Sequence, residues 1–248
     1  MANSSVFHLD SRVSSQSDCN GEAGFSSVDP GFAEILVVRH GETAWNAVGV
    51  IQGHIDVELN DVGRQQAVAV AERLSREARI TAVYSSDLKR ALETAQTIAV
   101  NCGGLEVIKD PGLRERHLGD LQGLVYHEMA KVNPKAHKAF VSQTDQEIPG
   151  GGESLHQLNQ RCISALQRIA SKHIGERVVV VTHGGVIRSL IKRADSSGEF
   201  RGKILNTSIT TFHLSDGEDW IIRAWGDVSH LNQTGFLESG FGEDRTSG

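Results

Sequence analysis

Two histidines in this chain stand where an apolar run gives way to glycine. His40 lies in Arg39-His40-Gly41, after Ile35-Leu36-Val37-Val38, and His183 lies in Thr182-His183-Gly184-Gly185, after Val178-Val179-Val180-Val181. Runs of this kind read as buried strands. The carboxyl edge of an open α/β sheet is where ligands bind. If the two strands are neighbours, both imidazoles and Arg39 meet in one pocket. Such a pocket suits a phosphoryl group, because cationic donors surround the dianion and one imidazole can attack phosphorus. Gly41 would let the backbone approach a ligand closely.

Other residue types extend this chemistry. Arg90 follows the short apolar run Ala82-Val83-Tyr84-Ser85, near the start of a helical pattern. A guanidinium fork and a helix N-terminus both favour phosphate; a solvated surface arginine is the plainer alternative. Glu115 lies in Leu113-Arg114-Glu115-Arg116-His117-Leu118-Gly119. Breaking a phosphate ester needs an acid to protonate the leaving alkoxide. A phosphate dianion beside this carboxyl would raise its pKa; the competing reading is an ion pair with Arg114 or Arg116. For attack, His40 must be neutral, its other ring nitrogen held by an acceptor such as a backbone carbonyl. His183 would serve best protonated, as a charged donor to the transition-state oxygens.

The elements that must position these groups alternate. After the strand at 35–38 and a loop over 41–59, Asn60-Asp61 signals a helix start. Ala67, Val70, Ala71 and Leu74 then predict a helix over 61–76. A strand at 82–85 precedes a helix capped by Ser86 or Asp87 and ending near Cys102. A strand at 105–108 and a charged, glycine-rich loop over 110–123 follow. Residues 125–143 are weakly helical and broken at Pro134, and 148–152 is a loop. Ser154 or Glu153 opens a helix whose apolar stripe is Leu155, Leu158, Cys162, Ala165, Leu166 and Ile169. The valine strand, a helix over 185–194 and strands at 209–214 and 220–225 complete the order, with Asp216-Gly217 as a hairpin turn. The expected fold is α/β: a three-layer α/β/α sandwich around a mainly parallel sheet, with a small helical cap insertion over about 124–152. One catalytic domain is expected over 33–238. It lies between a flexible N-terminal arm at 1–32 and a tail at 239–248.

Composition bounds the rest. The 248 residues carry a formal net charge of -6, which disfavours a general nucleic-acid or anionic-membrane surface. No apolar run reaches the roughly 20 residues of a membrane helix. Cys19, Cys102 and Cys162 are widely spaced, with neither a disulfide framework nor a cysteine zinc site. A cytoplasmic location is expected. Asp10, Asp18, Glu22 and Asp29 argue against a plastid transit peptide, which would be acid-poor. A homodimer is compatible with an edge strand from the C-terminal hairpin.

The segments RHGETAWN, SSDLKRALETA, LRERHLGDLQG, GGGES and VVVVTHGG, in this order, resemble the histidine phosphatase superfamily, also called phosphoglycerate-mutase-like. The likeness runs from Ile35 to Thr211, and within the superfamily it is greatest to plant phosphoglycerate-mutase-like proteins. The resemblance implies that His40 attacks phosphorus and becomes a phosphohistidine. It implies that Arg39, Arg90 and His183 hold phosphoryl oxygens, with Asn46 as a further ligand. It makes Glu115 the acid, and then the base that activates water. Gln52 and Gly53 fall where the family places substrate-contacting loop residues. Gly184 follows the second histidine and belongs to the same phosphate-binding set. No metal or other cofactor is expected, since the arginines and an imidazolium suffice, and no acidic cluster has magnesium-type spacing.

The same pocket can serve a phosphatase or a mutase. Glu115-Arg116-His117 resembles the mutases' version of its segment. Three departures favour a phosphatase. Leu118 replaces their tyrosine, Val125-Tyr126 replaces their Asn-Lys, and the short stretch from Leu124 to Gly150 lacks their paired arginines. The expected substrate is a small phosphorylated metabolite, with phosphoserine a candidate. His117, Gln52 and the residues around Tyr126 would shape that choice.

Overall fold

The computed structural model describes residues 28–77, 79–142, 145–195, 202–217 and 219–231. Most of the expected arm, and all of the expected tail, lie outside the described residues.

One sheet of six strands organises the chain: β1 (Phe32–Arg39), β2 (Ala82–Ser85), β3 (Val107–Lys109), β4 (Arg177–Thr182), β5 (Ile209–Ser215) and β6 (Trp220–Asp227). Their spatial order is β3-β2-β4-β1-β5-β6. The first four are mutually parallel, whereas β5 and β6 are antiparallel additions. Val, Ile and Leu fill β1 and β4 without alternation because both faces of these central strands are covered. On one face Ile35, Val37, Val178 and Val180 pack against Leu158, Leu166 and Ile187. These three belong to α6 (Leu155–Lys172) and α7 (Gly184–Ala194). On the other, Leu36, Val38, Val179 and Val181 meet Val70, Leu74, Ala95 and Ile98. Those come from α2 (Asp61–Ser75) and α3 (Lys89–Asn101). Each such Val, Leu or Ile side chain, fully buried, stabilises the fold by about 1.5–3 kcal/mol.

Register decides the site. Ile35 lies opposite Val178 and Arg39 opposite Thr182, so β1 and β4 end together. His40 then donates its backbone N–H to the Thr182 carbonyl at 2.9 Å. A second, smaller cluster lies apart from the sheet core. It joins Met129, Ala136, Ala139 and Ile148 of the expected cap segment to Ile51, Leu118 and Leu121 from outside it. The break at Pro134 separates α4 (Met129–Val132) from α5 (Pro134–Val141). Proline sits at the first position of α5, where its missing N–H costs nothing, and Asn133 caps the Ala136 N–H at 3.1 Å.

Local differences from the sequence reading have identifiable causes. Neither Ser86 nor Asp87 caps α3, whose N-cap is Leu88. The exposed first turn is served instead from a distance, by Asp56 accepting from the Lys89 N–H at 2.7 Å. Asp87 is held by Arg114 at 2.6 and 2.5 Å, and Ser86 is engaged by His183. The loop after β1 contains α1 (Ala44–Ala47), opened by a reciprocal capping box between Thr43 and Asn46. The third strand is three residues long and begins at Val107, not Leu105.

Candidate active site

His40 is buried at the end of β1, and its Nδ1 lies 2.7 Å from the Gly41 carbonyl oxygen. A carbonyl only accepts, so Nδ1 carries the proton and Nε2 keeps its lone pair. Burial, followed by the charges of Arg90 and Arg39, holds the imidazole well below its ordinary pKa. The neutral, nucleophilic form is therefore the resting one. The His183 ring lies 5.1 Å away, centroid to centroid, tilted by 57°.

His183 departs from expectation. Burial, then Arg90 and His40, push its pKa well below the imidazole range, so the folded pocket holds it neutral. Its Nε2 lies 2.8 Å from Ser86 Oγ, while its buried Nδ1 has no hydrogen-bond partner. Ser86 donating to Nε2 would leave an Nδ1–H donor for an anionic oxygen. Protonation of His183 requires the charge of a bound dianion, which offsets the arginines.

Both arginines are aimed by backbone. Arg39 ends β1 and donates through Nη1 to the Ile204 carbonyl. Arg90 is 1% exposed, which removes the solvated-surface alternative. It donates to the carbonyls of Gly53 (2.8 Å) and Ile55 (3.0 Å), while its buried Nε has no partner. Desolvation lowers its pKa to about 10, which still leaves a cation at neutral pH. Gly53 thus contributes a carbonyl that orients Arg90. Its φ of +52°, and the 2.2 Å that would separate an added Cβ from Gln122 Oε1, require glycine there.

Glu115 faces the same space. Its Oε2 accepts from the Gly185 N–H at 3.1 Å and its Oε1 from the Arg116 N–H at 2.9 Å. The competing ion pairs do not form: Arg114 engages Asp87, and Arg116 donates through Nε to the Glu153 carbonyl. Gly184 opens α7 directly after His183, putting the positive end of that helix at the pocket. Asn46 and Gln52 are buried, and both bond to Thr43. Asn46 Oδ1 accepts from its N–H and hydroxyl at 3.1 and 3.0 Å, and Gln52 Oε1 accepts from the hydroxyl at 3.1 Å. Ser154 caps α6.

Packing within the protein also demands glycine at position 41. A Cβ at Gly41 would lie 2.5 Å from the Gly63 carbonyl oxygen, in the first turn of α2. Several further residues position the site, and of these only Thr94 lies in one of the motif segments. Thr94 Oγ1 accepts from the Gly41 N–H at 3.1 Å, and Gln66 Oε1 accepts from the Glu42 N–H at 2.9 Å. Asn206 Nδ2 donates to the His40 carbonyl at 2.9 Å. Arg161 is the most connected of them. It pairs bidentately with Glu153 and donates to the carbonyls of Gly112, Arg114 and Glu115. Its only sequence signal was position, on the helix after the glycine loop. Among the described residues, no group of three or more His, Cys, Asp or Glu is arranged to hold a metal ion. Nor is any helix of the described residues long and apolar enough to cross a membrane.

A mixed α/β sheet whose central strand ends deliver two neutral imidazoles and Arg39, joined by buried Arg90 from α3 and the carboxyl of Glu115 from the loop after β3, defines a phosphoryl-handling class of protein. The chain belongs to the histidine phosphatase superfamily (branch 1), whose profile matches residues 35–228. It is 67% identical over 228 residues to phosphoglycerate mutase-like protein 4 of Arabidopsis thaliana, covering 92% of this chain and 99% of that one. It is 56% identical over 218 residues to a metal-independent phosphoserine phosphatase of the same plant, covering 88% and 91%. Among solved structures it resembles a phosphoserine phosphatase from Entamoeba histolytica in complex with 3-phosphoglyceric acid. That match has a TM-score of 0.68 and 29% identity, over 80% of this chain and 99% of that one.

Proposed function

We propose that this protein is a metal-independent phosphatase of small phosphomonoesters, phosphoserine foremost, working through a phosphohistidine on His40. The observation that carries the reading is the His40 tautomer. With Nδ1–H tied to the Gly41 carbonyl and the ring kept neutral, Nε2 is the one nucleophilic atom. It stands beside Arg39, Arg90 and His183.

In the first half-reaction, Nε2 attacks phosphorus in line, the P–O ester bond breaks, and Glu115 transfers a proton to the departing alkoxide. Arg39, Arg90, the Nδ1–H of His183 and the start of α7 at Gly184 stabilise the equatorial oxygens. In the second, Glu115, now a carboxylate, takes a proton from water. That water attacks phosphorus, and the P–N bond breaks to return His40 and release phosphate. Asn46 and Gln52, linked through Thr43, shape the loop beside this pocket. The domain reading fits this account: one catalytic unit over 33–238, with the segment over 124–152 as its cap. A cytoplasmic location and action as a homodimer belong to the same proposal.

The test is incubation of pure protein with phosphoserine, and separately with 3-phosphoglycerate plus bisphosphoglycerate. Free phosphate and 2-phosphoglycerate are followed. Phosphate release from phosphoserine with little 2-phosphoglycerate is expected. Fast 2-phosphoglycerate formation with little free phosphate would establish a mutase instead.

A further inference from the structure

One pair of side chains next to the acid is unused by this mechanism. His54 and His117 are both half-buried, and their rings meet edge to face with centroids 4.9 Å apart. His54 follows Gly53 and precedes Ile55, the two residues whose carbonyls hold Arg90. Its Nε2 lies 2.6 Å from the Glu115 carbonyl oxygen. His117 is two residues beyond Glu115, and its backbone N–H donates to Glu153 Oε2 at 2.8 Å. The pair therefore flanks the residue that would protonate the leaving oxygen, on the more open side of a pocket whose other groups are buried.

The hydrogen bonds lock both rings in the Nε2–H tautomer but engage opposite nitrogens, Nε2 of His54 and Nδ1 of His117. A carbonyl accepts, so the proton of neutral His54 is on Nε2 and its Nδ1 offers a lone pair. His117 Nδ1 accepts from the Gly119 N–H at 3.2 Å, so its proton is on Nε2, which is a donor. Burial, with His117 and Arg161 nearby, lowers the His54 pKa and keeps the acceptor form at neutral pH. The paired rings thus offer one nitrogen that accepts and one that donates.

We infer that His54 and His117 read the leaving group: His54 Nδ1 accepts from an ammonium and His117 Nε2–H donates to a carboxylate, selecting an α-amino acid phosphoester. In such a substrate both charged groups sit three bonds from the ester oxygen, within reach of groups flanking Glu115. This rests on the phosphatase reading and names the side chains that give it specificity. A site built to bond polar groups rejects analogues that lack them, because its own groups are then left unpaired.

The test uses two substitutions that keep each ring's backbone bond. His54→Gln retains an Nε donor for the Glu115 carbonyl and removes the Nδ1 acceptor. His117→Asn retains an acceptor for the Gly119 N–H and removes the distal donor. Wild type and both variants are assayed for kcat/KM on phosphoserine, phosphoethanolamine, O-phospho-3-hydroxypropionate and p-nitrophenyl phosphate. Wild type should favour phosphoserine over both single-group analogues. In His54→Gln the ratio of phosphoserine to p-nitrophenyl phosphate should fall about tenfold or more, with the advantage of phosphoserine over the amine-free analogue lost. In His117→Asn the advantage over the carboxylate-free analogue should go instead. Ratios equal to wild type in both variants, or a wild type indifferent among the four, would overturn the inference while phosphatase activity stands. Turnover of none of the four by wild type would overturn the proposed function itself.

Discussion

Arg161 holds the main chain of Glu115 in place. Its Nη2 donates to the Glu115 carbonyl at 2.7 Å, while Nε and Nη2 grip Glu153 at 2.6 and 2.7 Å. Glu153 Oε2 in turn accepts from the His117 N–H. The loop carrying the proposed acid is thus fixed to α6 by a guanidinium committed to Glu153 and to three backbone carbonyls. A misplacement of about 1 Å in a reacting group can cost about a hundredfold. Arg161→Met should therefore slow hydrolysis of alkyl phosphates by roughly 10–100-fold. It should slow phosphoryl transfer from p-nitrophenyl phosphate to His40 much less, because that leaving group departs without a proton. Comparing kcat/KM for the two substrate types, which reports this first half-reaction, checks this; an equal loss on both would mean a general loss of structure.

The second strut joins the His40 loop to α2. A Cβ at Gly63 would fall 2.0 Å from the Glu42 carbonyl oxygen, and one at Gly41 2.5 Å from the Gly63 carbonyl oxygen. Neither neighbour is a flexible side-chain tip, so backbone must move. Gly63→Ala should destabilise the fold by about 2–4 kcal/mol, and should also reduce activity by displacing Gly41 and its ring-holding carbonyl. Chemical denaturation of the variant beside wild type measures the first effect. A midpoint unchanged within error would show that the loop yields.

What the sequence made legible was whatever local pattern controls. Unbroken valines in β4 specified a strand covered on both faces. Pro134 broke the cap helices where it stands, and Ser154 with Gln157 formed the capping box that opens α6. The two His-Gly turns pointed to one pocket because parallel neighbours must end together. What stayed hidden depends on partners far along the chain. The N-terminus of α3 is satisfied from Asp56, and Ser86 turns to His183, almost a hundred residues away. The neutral state of His183 was illegible for the same reason, since burial and nearby Arg90 set it. Gln66, Asn206 and Arg161 have no distinctive spacing, because a hydrogen bond to a distant carbonyl or N–H constrains geometry and not periodicity.

The proposed covalent intermediate makes its own prediction. His40→Ala removes the nucleophile and should abolish turnover to background. Glu115→Gln leaves the nucleophile but cannot donate or accept the required proton, so alkyl-ester turnover should fall by roughly 10²–10⁴-fold. With p-nitrophenyl phosphate, which needs no acid, Glu115→Gln should still transfer phosphate to His40 and then stall, because water is no longer activated. A burst of nitrophenolate equal to the enzyme concentration, with a phosphoryl label lost in acid and retained in base, is the expected result. Absence of a burst, with slow steady turnover, would point to direct attack by water.

Stability should fall as the solution is acidified, in a window set by buried histidines. His40 and His183 are pushed well below the ordinary imidazole pKa, and His230 to about 4, chiefly by burial. Below about pH 6.5 the unfolded chain takes up protons that the folded chain refuses, so unfolding is favoured increasingly as pH falls. For His230 the loss continues to about pH 4, where the folded group also protonates, and amounts to about 3 kcal/mol at most. Its Nε2 lies 3.2 Å from the Thr207 hydroxyl, and the Thr207 N–H bonds the carbonyls of Arg39 and His40. His230→Gln keeps a polar group near Thr207 and removes the titration. Its melting temperature should fall less steeply than that of wild type between pH 6.5 and 4, and the two curves should run parallel above pH 7. A slope identical to wild type in the acid window would show that His230 titrates alike in both states, and would leave the loss to His40 and His183.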